Sequence, residues 1–172
     1  MVTVTGPKYI VSDFNEISEG NYFEAQVYHD VTSESERRNN NKVYNRIKDT
    51  LFYNIGIKDL ESLMIVIGDG SKVTANAPVQ LNDLKIFMEG TSHIDAELNC
   101  ESLNIKTSDN SHIRFQGTAK EADISLEDNS IVECYGLNIQ DAEVMLGDNS
   151  KLELNIRRNI RGIIMDLSLI HI

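Results

Sequence analysis

The amino-acid sequence predicts an all-β protein, a right-handed parallel β-helix (a solenoid) of about five coils with 19–21 residues in each coil. Three observations support this prediction. Asparagine recurs with aspartate and serine in short clusters of the kind that form turns between strands. The clusters return at a nearly constant interval, and the residues between them alternate apolar and polar, which is the periodicity of a β-strand. Such self-similarity is typical of solenoids, in which each repeat forms one coil.

The repeat is most regular from residue 69 to residue 155. Each of five turn clusters contains one serine, and these serines lie 21, 19, 19 and 20 residues apart: Ser71, Ser92, Ser111, Ser130 and Ser150. One alternating segment follows each serine, and a second begins 11–13 residues after the first four serines. We expect the apolar face of each segment to point inward and to stack on its equivalents in neighbouring coils, about 4.8 Å away. The predicted inward residues are Val73, Ala75, Ile94, Ala96, Ile113, Phe115, Val132, Cys134, Leu152 and Leu154 in the first segments, and Leu63, Ile65, Ile67, Leu84, Ile86, Met88, Leu103, Ile105, Thr107, Ala122, Ile124, Leu126, Ala142, Val144 and Leu146 in the second.

Two other repeat architectures agree less well with the sequence. A left-handed hexapeptide helix would place an apolar residue at every sixth position with a glycine beside it, and this pattern is missing. Helical repeats would show a period of about 3.6 residues, whereas these segments alternate. The right-handed parallel β-helix therefore remains the predicted fold.

The N-terminal part of the chain is less regular. Residues 1–59 are predicted to form irregular strands and an exposed loop that pack against the first coil, and residues 60–166 to form the repeats. Alternation predicts strands at residues 11–17, 22–28 and 51–57.

The segment 33–42 contains no apolar residue and carries charges of both signs, which predicts an exposed loop. An alternative is that Arg37 and Arg38 bind an anion there. Glu34 and Glu36 would neutralise those two arginines, so the loop interpretation is preferred.

Charge and hydropathy exclude several classes of protein. The net charge of −11 repels phosphate backbones and anionic membrane surfaces, which argues against a nucleic-acid partner. The chain has no apolar run long enough for a membrane span, and no recognisable signal peptide. Cys100 and Cys134 occupy different places in the repeat, so we expect free thiols, with Cys134 pointing inward. No cofactor is predicted.

Two histidines are the first candidates for chemistry. His93 and His112 each follow a cluster serine directly, so they are expected to stack in one outward column with Lys72, Ile131 and Lys151. Stacked imidazoles can share a metal ion, but this column offers no carboxylate as a further ligand. A solvated ladder is therefore the preferred interpretation, and no metal site is predicted.

A second outward column places Asp95, Arg114 and Glu133 in consecutive coils, between Thr74 and Glu153. Carboxylates and an arginine on one face of a β-helix can act as acid, base or substrate clamp. Ion pairing along a ladder explains the same residues without catalysis, so no catalytic residue is predicted. These three residues, with His93 and His112, are retained as candidates for a binding surface.

The turn aspartates form a further column, Asp69, Asp109, Asp128 and Asp148. Converging carboxylates can bind calcium, but the glycine-rich motif of calcium-binding solenoids does not occur in this sequence. We expect instead that Asp and Asn side chains cap the turn amides, and we leave the calcium alternative open.

Three sequence features together resemble a known family. They are the segment from Val11 to Ile17, the segment from Asp59 to Leu63, and the run of Asp-Asn-Ser turns with alternating strands. They are similar to the bacterial family described as putative auto-transporter adhesin, head GIN domain. The resemblance implies a right-handed parallel β-helix, a location in the cell envelope, periplasm or on the cell surface, and no enzymatic activity. The turns depart from the serine- and glycine-rich turns of that family.

The resemblance implies a noncatalytic module that binds a glycan or a surface protein through its ladder faces. A structural spacer or self-assembling scaffold is the alternative, and a carbohydrate-active enzyme is a third. At the C-terminus, residues 167–172 resemble a translated sequencing adapter and are interpreted as a non-native tail. The natural repeats would then continue, and the open last coil of this chain is expected to associate end to end.

Overall fold

A computed structural model describes residues 2–5, 14–19, 22–27, 52–55, 61–68 and 70–172. The chain divides into two compact units, residues 1–58 and 59–172, and each is described by itself. Within the described residues there are strands and turns but no helix, and hence no helix that could span a membrane.

The first unit contains two antiparallel strand pairs. Strand β1 (Val2–Thr5) pairs with β4 (Phe52–Ile55), and β2 (Phe14–Glu19) pairs with β3 (Tyr22–Val27). The strands predicted at residues 11–17, 22–28 and 51–57 overlap β2, β3 and β4, whereas β1 was not predicted. The rest of the predicted strand segments, and the loop 33–42 with Arg37 and Arg38, lie outside the described residues.

The second unit is a parallel β-solenoid of about 6 turns. Its strands are β5 (Ser62–Ile67), β6 (Lys72–Thr74), β7 (Val79–Gln80), β8 (Asp83–Met88), β9 (His93–Thr107), β10 (His112–Leu126), β11 (Ile131–Leu146), β12 (Lys151–Ile164) and β13 (Leu169–His171). Every pairing between them is parallel. The predicted β-helix is thus confirmed as a parallel solenoid, with about one turn more than expected.

The expectation of two short strands in each coil was wrong. Strands β9 to β12 run 14–16 residues without interruption and pair with the neighbouring coil along most of that length. A third inward segment lies between the two predicted ones, at Leu98 and Cys100, Ala119, and Leu137 and Ile139. Each of these segments contributes only one or two apolar residues among polar ones, so its alternation is too short to detect in the sequence.

Most of the predicted inward residues belong to the hydrophobic core of the solenoid. Ile86, Ile105, Ile124 and Val144 lie in register in four consecutive coils, and each is no more than 4% exposed. This stacking explains the medium size of the inward residues, because each side chain packs on its own equivalents above and below. Among the predicted inward residues of the earliest coils, Leu63, Ile65, Val73, Ala75 and Ala96 are only half-buried.

The Asp-Asn-Ser clusters form tight turns in which both central residues have positive φ. In the turn at Asp109 and Asn110 these angles are 58° and 65°, and the amide of Ser111 donates to the Ser108 carbonyl. Asp and Asn tolerate this left-handed region better than most residues, which explains their recurrence. Ser92, Ser111, Ser130 and Ser150 are buried, and the Ser111 hydroxyl donates to the Ser108 carbonyl at 2.6 Å.

The prediction that Asp and Asn side chains cap the turn amides was wrong. The amide of Asn110 donates to the carbonyl of Asp128 in the next coil, and Asn129 and Asn149 repeat this bond with Asp148 and Asp166. Main-chain carbonyls satisfy these amides because successive turns stack at the strand spacing. The turn residues are therefore selected for their backbone conformation.

A sixth turn of the same kind tests this explanation. Leu167 has a φ of 61° and its side chain is 92% exposed, although the equivalent positions of the three preceding turns hold asparagine. Because leucine is disfavoured in the left-handed region, Leu167→Asn is expected to raise the free energy of unfolding by about 1 kcal/mol. Urea denaturation measures the change. Leu169→Asn removes exposed apolar surface on β13, a strand, and should give no such gain; equal gains in both variants would contradict the backbone explanation.

Candidate functional site

The five candidate residues lie together on one outward face of the solenoid. His93 and Asp95 on β9, His112 and Arg114 on β10, and Glu133 on β11 alternate with inward residues, so their side chains point away from the core. Strand register puts them in two adjacent columns, which we call the charged ladder: Lys72, His93, His112, Ile131 and Lys151 in the first, and Thr74, Asp95, Arg114, Glu133 and Glu153 in the second.

The two histidines stack edge to face. Their ring centroids lie 4.8 Å apart with an interplanar angle of 79°. Burial, followed by the nearby positive charges of His112 and Lys72, lowers the pKa of His93 below its ordinary value of 6.5. His93 therefore stays neutral at neutral pH. A separate finding concerns metal binding: among the described residues, no group of three or more His, Cys, Asp or Glu side chains is arranged to hold a metal ion.

Arg114 binds the carboxylate of the next coil. Its Nε and Nη2 atoms donate to Glu133 Oε2 at 3.0 and 2.8 Å. This hydrogen bond lowers the pKa of Glu133 below its ordinary value, so that carboxylate stays ionised at neutral pH. Such a group is a poor general acid, because that role requires a carboxyl group that keeps its proton near the working pH.

Sequence reasoning missed one contact in this ladder. No carboxylate shares the histidine column, as predicted, but His112 Nε2 lies 3.3 Å from Glu133 Oε2 in the adjacent column, a contact that was not foreseen. The contact is diagonal, one coil up and two residues along the strand. A diagonal neighbour could have been recognised from the column register, because such positions are within reach of long side chains.

The low pKa of His93 leads to a prediction. Its imidazole should titrate below pH 6.5, since the folded state disfavours the proton relative to the unfolded state. Stability from this group should be fully present above pH 6.5 and be lost as the pH falls through the folded pKa. NMR titration of the ring protons measures the midpoint. Lys72→Gln should raise it and Lys106→Gln, which removes a lysine on another side of the coil, should not; a midpoint at or above 6.5 would contradict the prediction.

The cysteines match their predicted states. Cys100 and Cys134 are both free and buried, and Cys134 occupies the predicted inward position. Burial raises the pKa of Cys134 to about 12 and, with the charge of Asp83, that of Cys100 to about 11. Thiols that remain protonated at neutral pH are weak nucleophiles, which gives neither cysteine a catalytic advantage.

Comparison with known proteins identifies a family. The model of the family described as putative auto-transporter adhesin, head GIN domain, matches residues 13–172. The match includes the whole charged ladder. The chain matches no curated protein and no solved structure.

Proposed function

Because the chain belongs to the putative auto-transporter adhesin, head GIN domain family, we propose that it is a noncatalytic recognition module of the cell envelope or cell surface that binds a glycan or a protein through its charged ladder. The observation that carries this proposal is the Arg114–Glu133 pair in its ladder. Strand pairing places the two residues side by side, hydrogen bonds join their side chains, and both remain partly exposed, at 48% and 31%.

The same ladder supports recognition over catalysis. A glycosidase needs one carboxyl group with a raised pKa near a second carboxylate. Glu133 instead has a lowered pKa because Arg114 holds it. The charged residues lie on an open strand face, whereas catalytic sites are usually clefts that exclude water.

The experiment that tests the function is a binding screen with a turnover control. The purified 172-residue protein is applied to a glycan array and to immobilised surface proteins of host and neighbouring bacterial cells. We expect saturable binding in at least one of the two assays and no change in the covalent structure of the ligand. Arg114→Gln should weaken the binding, while Asn104→Leu, on another side of the coil, should not. Absence of binding in both assays, or turnover of the ligand, would overturn the proposal.

A self-assembling scaffold is the second candidate, and one observation favours it. In this 172-residue polypeptide, β13 pairs with only the first three residues of β12, Lys151 to Glu153. The rest of β12 pairs with β11 on one side, and it exposes Ile163 and Ile164 by about half. Open strand edges recruit further strands. Sedimentation velocity should then show concentration-dependent association that Ile163→Lys reduces; a monomer at all concentrations would exclude the scaffold for this polypeptide.

A further inference from the structure

A groove on a different side of the solenoid shares no residue with the charged ladder. It has a volume of about 530 Å³, and its lining residues come from five consecutive coils. We call it the amide groove and define it by its six principal polar residues: Asn99, Thr118, Lys120, Asn138, Gln140 and Arg157. Its floor includes Ala119 and Cys100, which belong to the third inward segment of the coil.

We propose that the amide groove binds an extended, uncharged oligosaccharide that lies along the solenoid axis. This inference rests on the proposed recognition function and adds to the charged ladder a second site with its own ligand class. Asn99, Thr118 and Asn138 line the groove and form a column in register, which Asn155 continues in the next coil outside the groove lining. Their spacing of about 4.8 Å is close to the length of one sugar unit in an extended chain, so each coil can contact one unit.

The hydrogen bonds already present in the groove show which donors and acceptors remain available to a ligand. Thr118 Oγ1 donates to Asn99 Oδ1 at 2.7 Å. Asn138 Oδ1 accepts from Asn155 and Arg157, and Asn138 Nδ2 donates to the Gly117 carbonyl at 3.4 Å. Within the described part of the chain, the Asn99 amide nitrogen and the whole Gln140 amide make no side-chain hydrogen bond. Amide groups offer both donors and acceptors, and sugar hydroxyls need both.

Charge favours an uncharged ligand. The cation of Lys120 pairs with Glu101 in the neighbouring coil, which neutralises it within the groove. Arg157 donates to the neutral amide of Asn138 and keeps its own charge, but the protein as a whole carries a net charge of −11 that repels acidic polymers. Amides and a hydroxyl are the main uncharged hydrogen-bonding groups that the groove presents.

A peptide is a poorer occupant than a sugar. Peptides that add to sheets use the free amides and carbonyls of an edge strand. The groove lies on strand faces whose neighbours pair above and below, so no edge is available there. Protein hot spots are also aromatic and tightly packed, and none of the residues that line this groove is aromatic.

The same lack of an aromatic platform predicts weak sugar binding, with a dissociation constant on the order of 1 mM for a single site. Adhesion can rely on many such weak sites acting together.

Binding of cellotetraose, mannotetraose and chitotetraose, with tetragalacturonate as the acidic comparison, tests the inference. NMR spectra of the labelled 172-residue protein should show fast-exchange shifts in the side-chain amides of Asn99, Asn138 and Gln140 with at least one neutral tetramer. The double variant Asn99→Leu with Thr118→Val should weaken that binding by about fivefold or more. Asn104→Leu is the matched control on another side of the coil and should leave binding unchanged. Urea midpoints equal to that of the unchanged protein establish that each variant folds.

The possible outcomes distinguish failure of the groove proposal from failure of the recognition function. Loss of sugar binding in Arg114→Gln but not in the groove variant would move the site to the charged ladder and overturn the groove, while recognition would stand. Preference for tetragalacturonate, or failure of all three neutral tetramers while surface proteins still bind, would overturn the ligand class and leave recognition intact. Failure of every sugar and every protein would overturn the recognition function itself.

Discussion

Replacing Ile124 with aspartate is expected to lower the free energy of unfolding by about 4 kcal/mol or more, or to prevent folding of the repeats. Ile124 is fully buried and lies in register between Ile105 and Val144. A carboxylate there would be surrounded by stacked aliphatic side chains with no cation or hydrogen-bond donor to compensate its lost hydration. Urea denaturation followed by circular dichroism measures the change.

Ser125→Asp is the matched control for this substitution. It introduces the same side chain one residue further along β10, on the outward face. The strand neighbours of Ser125 are Lys106 and Met145, so the new carboxylate would remain hydrated and near a cation. The expected change is within about 0.5 kcal/mol. Comparable losses in both variants would contradict the inward and outward assignment that organises the whole repeat.

The repeat could be predicted because a solenoid imposes the same constraint in every coil. The turn at Asp109 and Asn110 needs two residues that accept positive φ, and the same need returns at Asp128 and Asn129. A repeated backbone constraint leaves a repeated sequence, which is visible without any structure. The inward columns are predictable for the same reason, since each residue packs on its equivalents.

The third side of the coil could not be predicted, because it lacks that regularity. Its inward positions hold Leu98 in one coil, Gly117 in the next and Leu137 in the one after. Between Glu133 and Gly136, β11 also has one residue more than β10, which shifts the register. Irregular size and spacing conceal the alternation. The amide groove lies on this side, so its residues could not be recognised as one surface from the sequence.

The charged ladder was predictable as two columns but not as a set of contacts. Register follows from the repeat, and it correctly places Asp95, Arg114 and Glu133 in line. Which neighbour a side chain binds depends on its rotamer and on diagonal distances. Arg114 donates both of its hydrogen bonds to Glu133, and His112 approaches the same carboxylate. These contacts determine which side chains of the charged ladder are ionised, and the sequence alone does not show them.

Gly117→Ala is expected to lower the free energy of unfolding by at least about 2 kcal/mol. Gly117 has a φ of 111°, a region that residues with a side chain rarely adopt. A Cβ atom at this position would also overlap the main-chain carbonyl oxygen of Leu98 in the preceding coil. That oxygen belongs to the strand ladder and cannot move aside as a flexible side chain could. The substitution should therefore separate β9 from β10 at the bend beside the amide groove.

Gly147→Ala distinguishes this steric effect from a general effect of removing glycine. A Cβ atom at Gly147 would have no other atom within 4 Å, and the φ of this residue is not positive. Alanine also restricts the unfolded chain, so the expected result is no loss, or a gain of up to about 1 kcal/mol. Hydrogen exchange should then show faster exchange around residues 98–100 in Gly117→Ala alone. Equal urea midpoints for the two variants would mean that β9 and β10 do not approach each other at Gly117 as closely as the structure indicates.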